Sequence, residues 1–288
     1  MSESNKTSSE ELFPQSERLQ ALSPEEYELL WGQPAFSDSD RDLFFQLNSR
    51  EQKFLAQLRT PRTKANFLLQ LGYFRARQRF FPLDLALVAD DLDHLSDRYL
   101  DGVAVSTLKI SKHTRQQQLE WILEHFGFQS LSPAMRSDLE ARAQRIVRIS
   151  GRPLYIMRDL IDFLRRERVV LPGYTTLQDI VRVALKTERQ RLGDVLERTI
   201  SSEEEALLNG LFASTDGLHA VTALKHDPKD FSFNQLNREV ARGTRLRPLF
   251  GLAQRIIEQT ELTPESVRFY ASLVDYYTVY KLKRMAHS

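Results

Sequence analysis

Cysteine is absent from the 288 residues. Disulfide scaffolds and thiolate metal sites are thereby excluded, and a reducing compartment is expected. Glycine is sparse, with eleven residues, and none builds a phosphate-cradling loop, since Gly151 and Gly173 stand alone. The six histidines are His94, His113, His125, His219, His226 and His287, and no pair has an H-E-x-x-H or other zinc spacing. No serine sits in a G-x-S-x-G elbow. No run approaches the ~18 apolar residues of a membrane span. The polar start, Met1 to Glu11, lacks the apolar core of a signal peptide. These absences predict a cytoplasmic protein with no membrane partner, no cofactor, no metal and no catalytic constellation. Strand alternation is also nearly missing, because Val103–Val105 and Val169–Leu171 are too short to define strands.

Helix signals are abundant. Hydrophobic residues make up 41% of the chain, which places it among globular rather than disordered sequences. Ser23-Pro24, Ser132-Pro133 and Thr263-Pro264 each put a hydroxyl before a proline. The hydroxyl accepts from a free backbone N–H, and proline has no donor to lose at the first helical position. Glu26 after Ser23, and Gln235 after Ser232, complete capping-box patterns. Leu119, Ile122, Leu123 and Phe126 share one helical face that Gly127 ends. Apolar spacing predicts further helices over Thr63–Phe74, Leu83–Leu95 and Thr175–Ile200, and a last one from Val267 to Thr278. The expected fold is all-α. Residues 1–20 read as a flexible polar tail. Residues 21–171 read as one helical module and 172–288 as a second, because Pro172-Gly173 breaks a helix; Gly127–Pro133 is the other candidate seam.

The net charge of +1 hides a segregation. Residues 1–58 carry eleven acids and five bases, net −6, and residues 59–288 carry 28 acids and 35 bases, net +7. Between Arg59 and Leu83 lie Arg59, Arg62, Lys64, Arg75, Arg77 and Arg79 and no acid. A phosphate backbone responds to such a local field rather than to the total. Arginines at a helix exit also answer the helix dipole, so this group has both a structural and a DNA-binding reading. Phe80 and Phe81 read as core.

Lys109, Lys112, His113 and Arg115 open the helix that carries Leu119 and Ile122. A short helix, a connection and a second helix with basic residues in its first turns follow helix-turn-helix logic, although this connection is longer than the usual turn. Arg182, Lys186 and Arg189 form a stripe at helical spacing, interrupted little by Glu188; Arg142, Arg145, Arg148 and Arg152 form another. One stripe is explained by a solvated face, whereas several favour a phosphate-contacting surface. Asp90, Asp91, Asp93 and His94 are the densest set of possible metal ligands. Consecutive helical residues fan out by about 100° each, so a solvated acidic face is expected instead.

Five stretches in order resemble the N-terminal part of Tn-three-family replicative transposases. They are Asn66–Arg75 continuing to Arg79–Pro82, His113 with Glu124–Phe128, Leu171–Ile180, Leu224–Pro228 and Tyr270–Met285. Leu171–Ile180 (LPGYTTLQDI) is the most specific of them. The resemblance implies helical DNA-binding modules that recognise the terminal inverted repeats of a transposon in the bacterial cytoplasm, at the nucleoid. It implies that the family's carboxylate triad lies beyond the matched region, so this chain is expected not to be an enzyme by itself. The partner it implies is double-stranded DNA. The expected DNA-binding residues are Lys64, Arg75, Arg77, Arg79, Lys109, Lys112, His113, Arg115, Thr175, Thr176, Arg182, Lys186 and Arg189, with Lys112, His113 and Arg115 facing base edges. The near-zero net charge keeps a second reading open: a helical interaction protein that self-associates, or pairs with and inhibits a full-length transposase.

Overall fold

A computed structural model describes residues 21–212 and 232–276, with Ser214, Thr215, Leu218, His219 and Asp230 between them. The fold is all-α. Twelve helices and one antiparallel pair of two-residue strands (Ser214–Thr215 with Leu218–His219) are present among the described residues. The chain divides into two compact units that interleave in sequence. The first comprises residues 20–139 and 157–179, and the second includes residues 140–156 and 180 onward.

The first unit is built around a helix buried on every side. We number the helices in order: α1 (Pro24–Trp31), α2 (Asp38–Phe44), α3 (Ser49–Gln57), α4 (Pro61–Arg77), α5 (Ala89–Tyr99) and α6 (Lys112–Phe126). Helix α4 starts on a reciprocal cap between Thr60 and Thr63 with Pro61 in its first turn, and ends at Gln78, whose φ of 54° is left-handed. Sequence spacing predicts one apolar face on α4. In the structure every residue from Ala65 to Phe74 is buried, and α2, α3, α5 and α6 all pack against it. A helix apolar over most of its circumference belongs in the centre of a core. Each Leu or Phe sealed there contributes about 1.5–3 kcal/mol. Its buried amides bond to neighbouring loops, although Asn66 Oδ1 is sealed without a hydrogen-bond partner among the described residues. Asn66 Nδ2 donates to Leu108 O at 3.1 Å. Gln70 donates to Phe81 O at 2.7 Å and accepts from Phe81 N at 3.3 Å. Gly72 lets the Phe45 ring lie against the backbone, where a Cβ would come within 2.2 Å of it.

The capping signals at Ser23, Ser132 and Thr263 operate as expected. Ser232 caps its helix, but the Gln235 side chain donates to Glu239 rather than completing the box. The helix predicted over Leu83–Leu95 begins later, as α5 at Ala89. Asp84 explains the delay, because its carboxylate accepts from Ala86 N at 2.8 Å and its carbonyl from Leu87 N. Such an Asx turn competes with helix formation. Gln129 and Val169 form an isolated parallel bridge in this unit. Pro172 and Gly173, the expected break between modules, lie inside the first unit.

Four further helices follow α6 before the hairpin: α7 (Pro133–Ile149), α8 (Pro153–Arg166), α9 (Tyr174–Thr199) and α10 (Ser202–Leu211). After it come α11 (Phe233–Thr260) and α12 (Pro264–Tyr276). In the second unit, Arg191 pairs with the buried Glu188 at 2.6 Å and donates to Thr260 O at 3.0 Å. Thr263 Oγ1 donates to Ile149 O at 2.7 Å. The expected polar tail and the Leu224–Pro228 and Tyr277–Met285 stretches lie outside the described residues, as do His226 and His287.

Candidate nucleic-acid interface

Two acid-free tracts meet in the first unit. One runs from Arg59 to Leu83 and the other from Gly102 to Leu119. Gln118 Nε2 of α6 donates to Thr63 O of α4 at 2.9 Å, and Asn66 joins α4 to the loop that carries Leu108. Further along, Trp121 packs on Phe67 and Phe126 on Phe74. This register makes α4 and α6 parallel, so both present their N-termini at the same end. Neither has an acid in its first turn. Free N–H groups and the helix dipole make such an end attractive to anions.

That end gathers Lys64, Lys109, Lys112, His113 and Arg115 of the predicted set. Lys109, Lys112, His113 and Arg115 are exposed and Lys64 is half-buried. Ser111 caps α6 by accepting from Thr114 N at 3.1 Å. Arg59 and Arg62, not chosen from sequence, are exposed beside Lys64. The absence of acids across the tract was the signal that could have selected them.

Arg75, Arg77 and Arg79 lie at the opposite end of α4, about 20 Å away at 1.5 Å per residue. Arg75 turns inward. It donates to Phe44 O at 2.6 Å, to Gln46 O at 2.5 Å and to the buried Glu51 carboxylate at 2.5 Å. His125 Nε2 lies 3.0 Å from the other Glu51 oxygen. Arg75 is thus held within a structural cluster that ties α2, α3 and α6 to α4. Arg77 and Arg79 are half-buried.

Thr175 is exposed and Thr176 half-buried at the start of α9. The segment before them is anchored on α1 and the residues preceding it: Trp31 Nε1 donates to Pro172 O at 2.8 Å, and Ala21 N to the Tyr174 hydroxyl at 3.1 Å. Arg182, Lys186 and Arg189 are exposed on α9 within the second unit, and Glu188 faces inward between them. Within the first unit the predicted residues thus fall at the two ends of α4 and at the start of α9, while Arg182, Lys186 and Arg189 belong to the second unit. On the second ridge, Arg152 lies beside Glu265 at 3.8 Å and over the Phe269 ring.

The acidic cluster departs from its expected solvated face. Asp90 and Asp93 are exposed, but Asp91 is buried. It accepts from Arg41 Nε at 2.8 Å and from the Tyr73 hydroxyl at 2.6 Å. Burial, followed by this bond to Asp91, pushes the Tyr73 hydroxyl pKa far above its usual range. Among the described residues, no three His, Asp or Glu side chains are grouped to hold a metal ion. No helix among them is long and apolar enough to cross a membrane.

Residues 21–184 match a protein family described as a domain of unknown function, DUF4158, and the chain belongs to that family. The match contains all of the first unit's described helical core and the basic end of α4 and α6. The chain is also 20% identical over 174 residues to the transposase for transposon Tn1546 of Enterococcus faecium. That alignment covers 59% of this chain and 17% of the transposase. The chain is thus related to a transposase and spans less than a fifth of that relative's length.

Proposed function

We propose that this chain binds double-stranded DNA as the N-terminal recognition part of a Tn-three-family transposase, with the terminal inverted repeats of the transposon as its target. The observation that carries the reading is the convergence of two acid-free basic tracts at the N-termini of α4 and α6. Lys64, Arg59 and Arg62 supply phosphate contacts beside the α4 terminus. Lys112, His113 and Arg115 on the first turns of α6 reach base edges, in the manner of a recognition helix. The connection from α5 to α6 is long, with Asp101 and Gly102 both left-handed, so the arrangement is a helix-turn-helix variant at most. On this reading, DNA cleavage and strand transfer belong to another part of a longer transposase.

The test is fluorescence anisotropy with an inverted-repeat duplex and a scrambled duplex across a salt titration. Tighter binding to the repeat is expected, and Lys112→Ala or Arg115→Ala should narrow that preference. Substituting Lys64 should lower the salt slope by about one unit for both duplexes. Equal affinity for the two duplexes at every salt concentration would remove the specificity claim.

One observation favours a second reading, pairing with a full-length transposase or another copy. Phe233, Leu236, Val240 and Phe250 of α11 are 75%, 58%, 64% and 66% exposed, and contiguous exposed apolar surface marks protein contacts. Loss of DNA binding together with a larger assembly in size-exclusion chromatography would support it.

A further inference from the structure

The three arginines at the end of α4 are chemically alike in sequence and unlike in the structure. Arg75 spends its N–H groups on a buried carboxylate and two carbonyls. Arg77 and Arg79 flank the left-handed cap Gln78, and among the described residues no carboxylate pairs with either. The Nε atom of each is sealed from solvent without a hydrogen-bond partner. Arg79 has one long bond to protein, from Nη1 to Trp31 O at 3.5 Å, and its guanidinium stacks 5.0 Å over the Phe81 ring. Burial lowers its pKa, and the Tyr27 hydroxyl opposes this only as the smaller effect.

A half-desolvated cation without a counter-ion destabilises the fold that holds it. The carbonyl end of α4 offsets part of this for Arg77, but it is not a neutralising charge, and Arg79 lies beyond the cap. Stacking on an aromatic ring holds a guanidinium plane while leaving donor edges free, which suits a tetrahedral oxyanion. We infer that Arg77 and Arg79 form a phosphate-binding site at the C-terminal end of α4, separate from the basic end of α4 and α6, with Arg79 as its fixed element. This deepens the DNA-binding reading and rests on it for the source of the phosphate. It also implies an opposition: Arg79 weakens the free protein and strengthens the bound one.

The experiment compares wild type with Arg79→Met and Arg77→Met. Methionine keeps the apolar stem against Phe81 and removes the charge. Thermal melting is read with inorganic phosphate and with sodium chloride at matched ionic strength. Binding to a random-sequence duplex is read across a salt titration, since a phosphate contact does not depend on sequence. Arg79→Met is expected to melt no lower than wild type in chloride, to lose the extra rise that phosphate gives wild type, and to reduce the duplex salt slope by about one unit. A melting temperature well below wild type would show that Arg79 is structural and overturn the inference. An unchanged phosphate response and an unchanged slope would overturn it equally. If wild type binds no duplex yet shows a phosphate rise that depends on Arg79, the anion site stands and the DNA reading falls. Absence of both responses in wild type removes the two together.

Discussion

Replacing Arg75 with alanine separates the structural arginine from its neighbours. Arg75 is the counter-charge of Glu51, a carboxylate only 1% exposed, and the donor to Phe44 O and Gln46 O. Removing one partner of a buried pair costs about 3–5 kcal/mol, because the other charge stays buried without compensation. The two carbonyls that lose a charged donor add to this, while water entering the vacated space and the nearby His125 offset part of it. A net loss of about 4 kcal/mol is expected. At about 2–4 °C per kcal/mol for a chain of this size, melting should fall by about 8–16 °C. Urea unfolding followed by circular dichroism measures it, with an unchanged slope showing that the unfolded state is the same. Arg75→Lys should lie between wild type and alanine, since an ammonium cannot reproduce the planar fork that reaches three acceptors. A loss below ~1 kcal/mol, together with weaker DNA binding, would refute this reasoning. Arg75 would then be a phosphate contact, as the basic run by itself suggested.

Three further outcomes are expected. Gly72→Ala should destabilise the first unit by about 1–3 kcal/mol, measured by thermal melting, because its Cβ would press into the buried Phe45 ring. Tyr73→Phe should cost about 1–3 kcal/mol by leaving buried Asp91 without that donor. Because folding raises the Tyr73 pKa, its contribution is complete below the usual tyrosine value of about 10 and declines as pH rises above it; urea midpoints of the variant should therefore fall less steeply than those of wild type in that alkaline range. Glu26 is held below the ordinary glutamate pKa, chiefly by its bond to Arg158. Its contribution is present above about pH 4.3 and lost as pH falls. In an NMR titration, Arg158→Ala should move the Glu26 pKa upward, and an unmoved value would deny the pair any role in solution.

Much of the fold was legible because its signals are local. A hydroxyl before a proline, a Glu three residues on and a glycine after a periodic run each act within one helical turn. These features marked the starts of α1, α7 and α12 and the end of α6. The delayed start of α5 was not legible by apolar spacing, because an Asx turn at Asp84 competes with the helix in the same few residues. The basic end was half legible. The tract from Arg59 to Lys64 and the one from Lys109 to Arg115 could be read separately, but their meeting depends on Gln118, an unremarkable glutamine in sequence.

The sequence alone determined that the chain lacks thiol chemistry, that it is helical, and that some of its basic stretches, Arg59–Leu83 and Gly102–Leu119 among them, are free of acids. Composition and short-range backbone preferences decide these properties, and tertiary contacts do not reverse them. Only the tertiary structure decided which charges face inward. Arg75 differs from Arg77, Asp91 from Asp90, and Glu188 from Arg189 by position on a helix whose neighbours come from distant segments. Periodicity finds the inward face when a helix has one buried side. Helix α4 is buried on all sides from Ala65 to Phe74, so its spacing could not show that Arg75 completes the core while Arg77 and Arg79 remain without a carboxylate among the described residues.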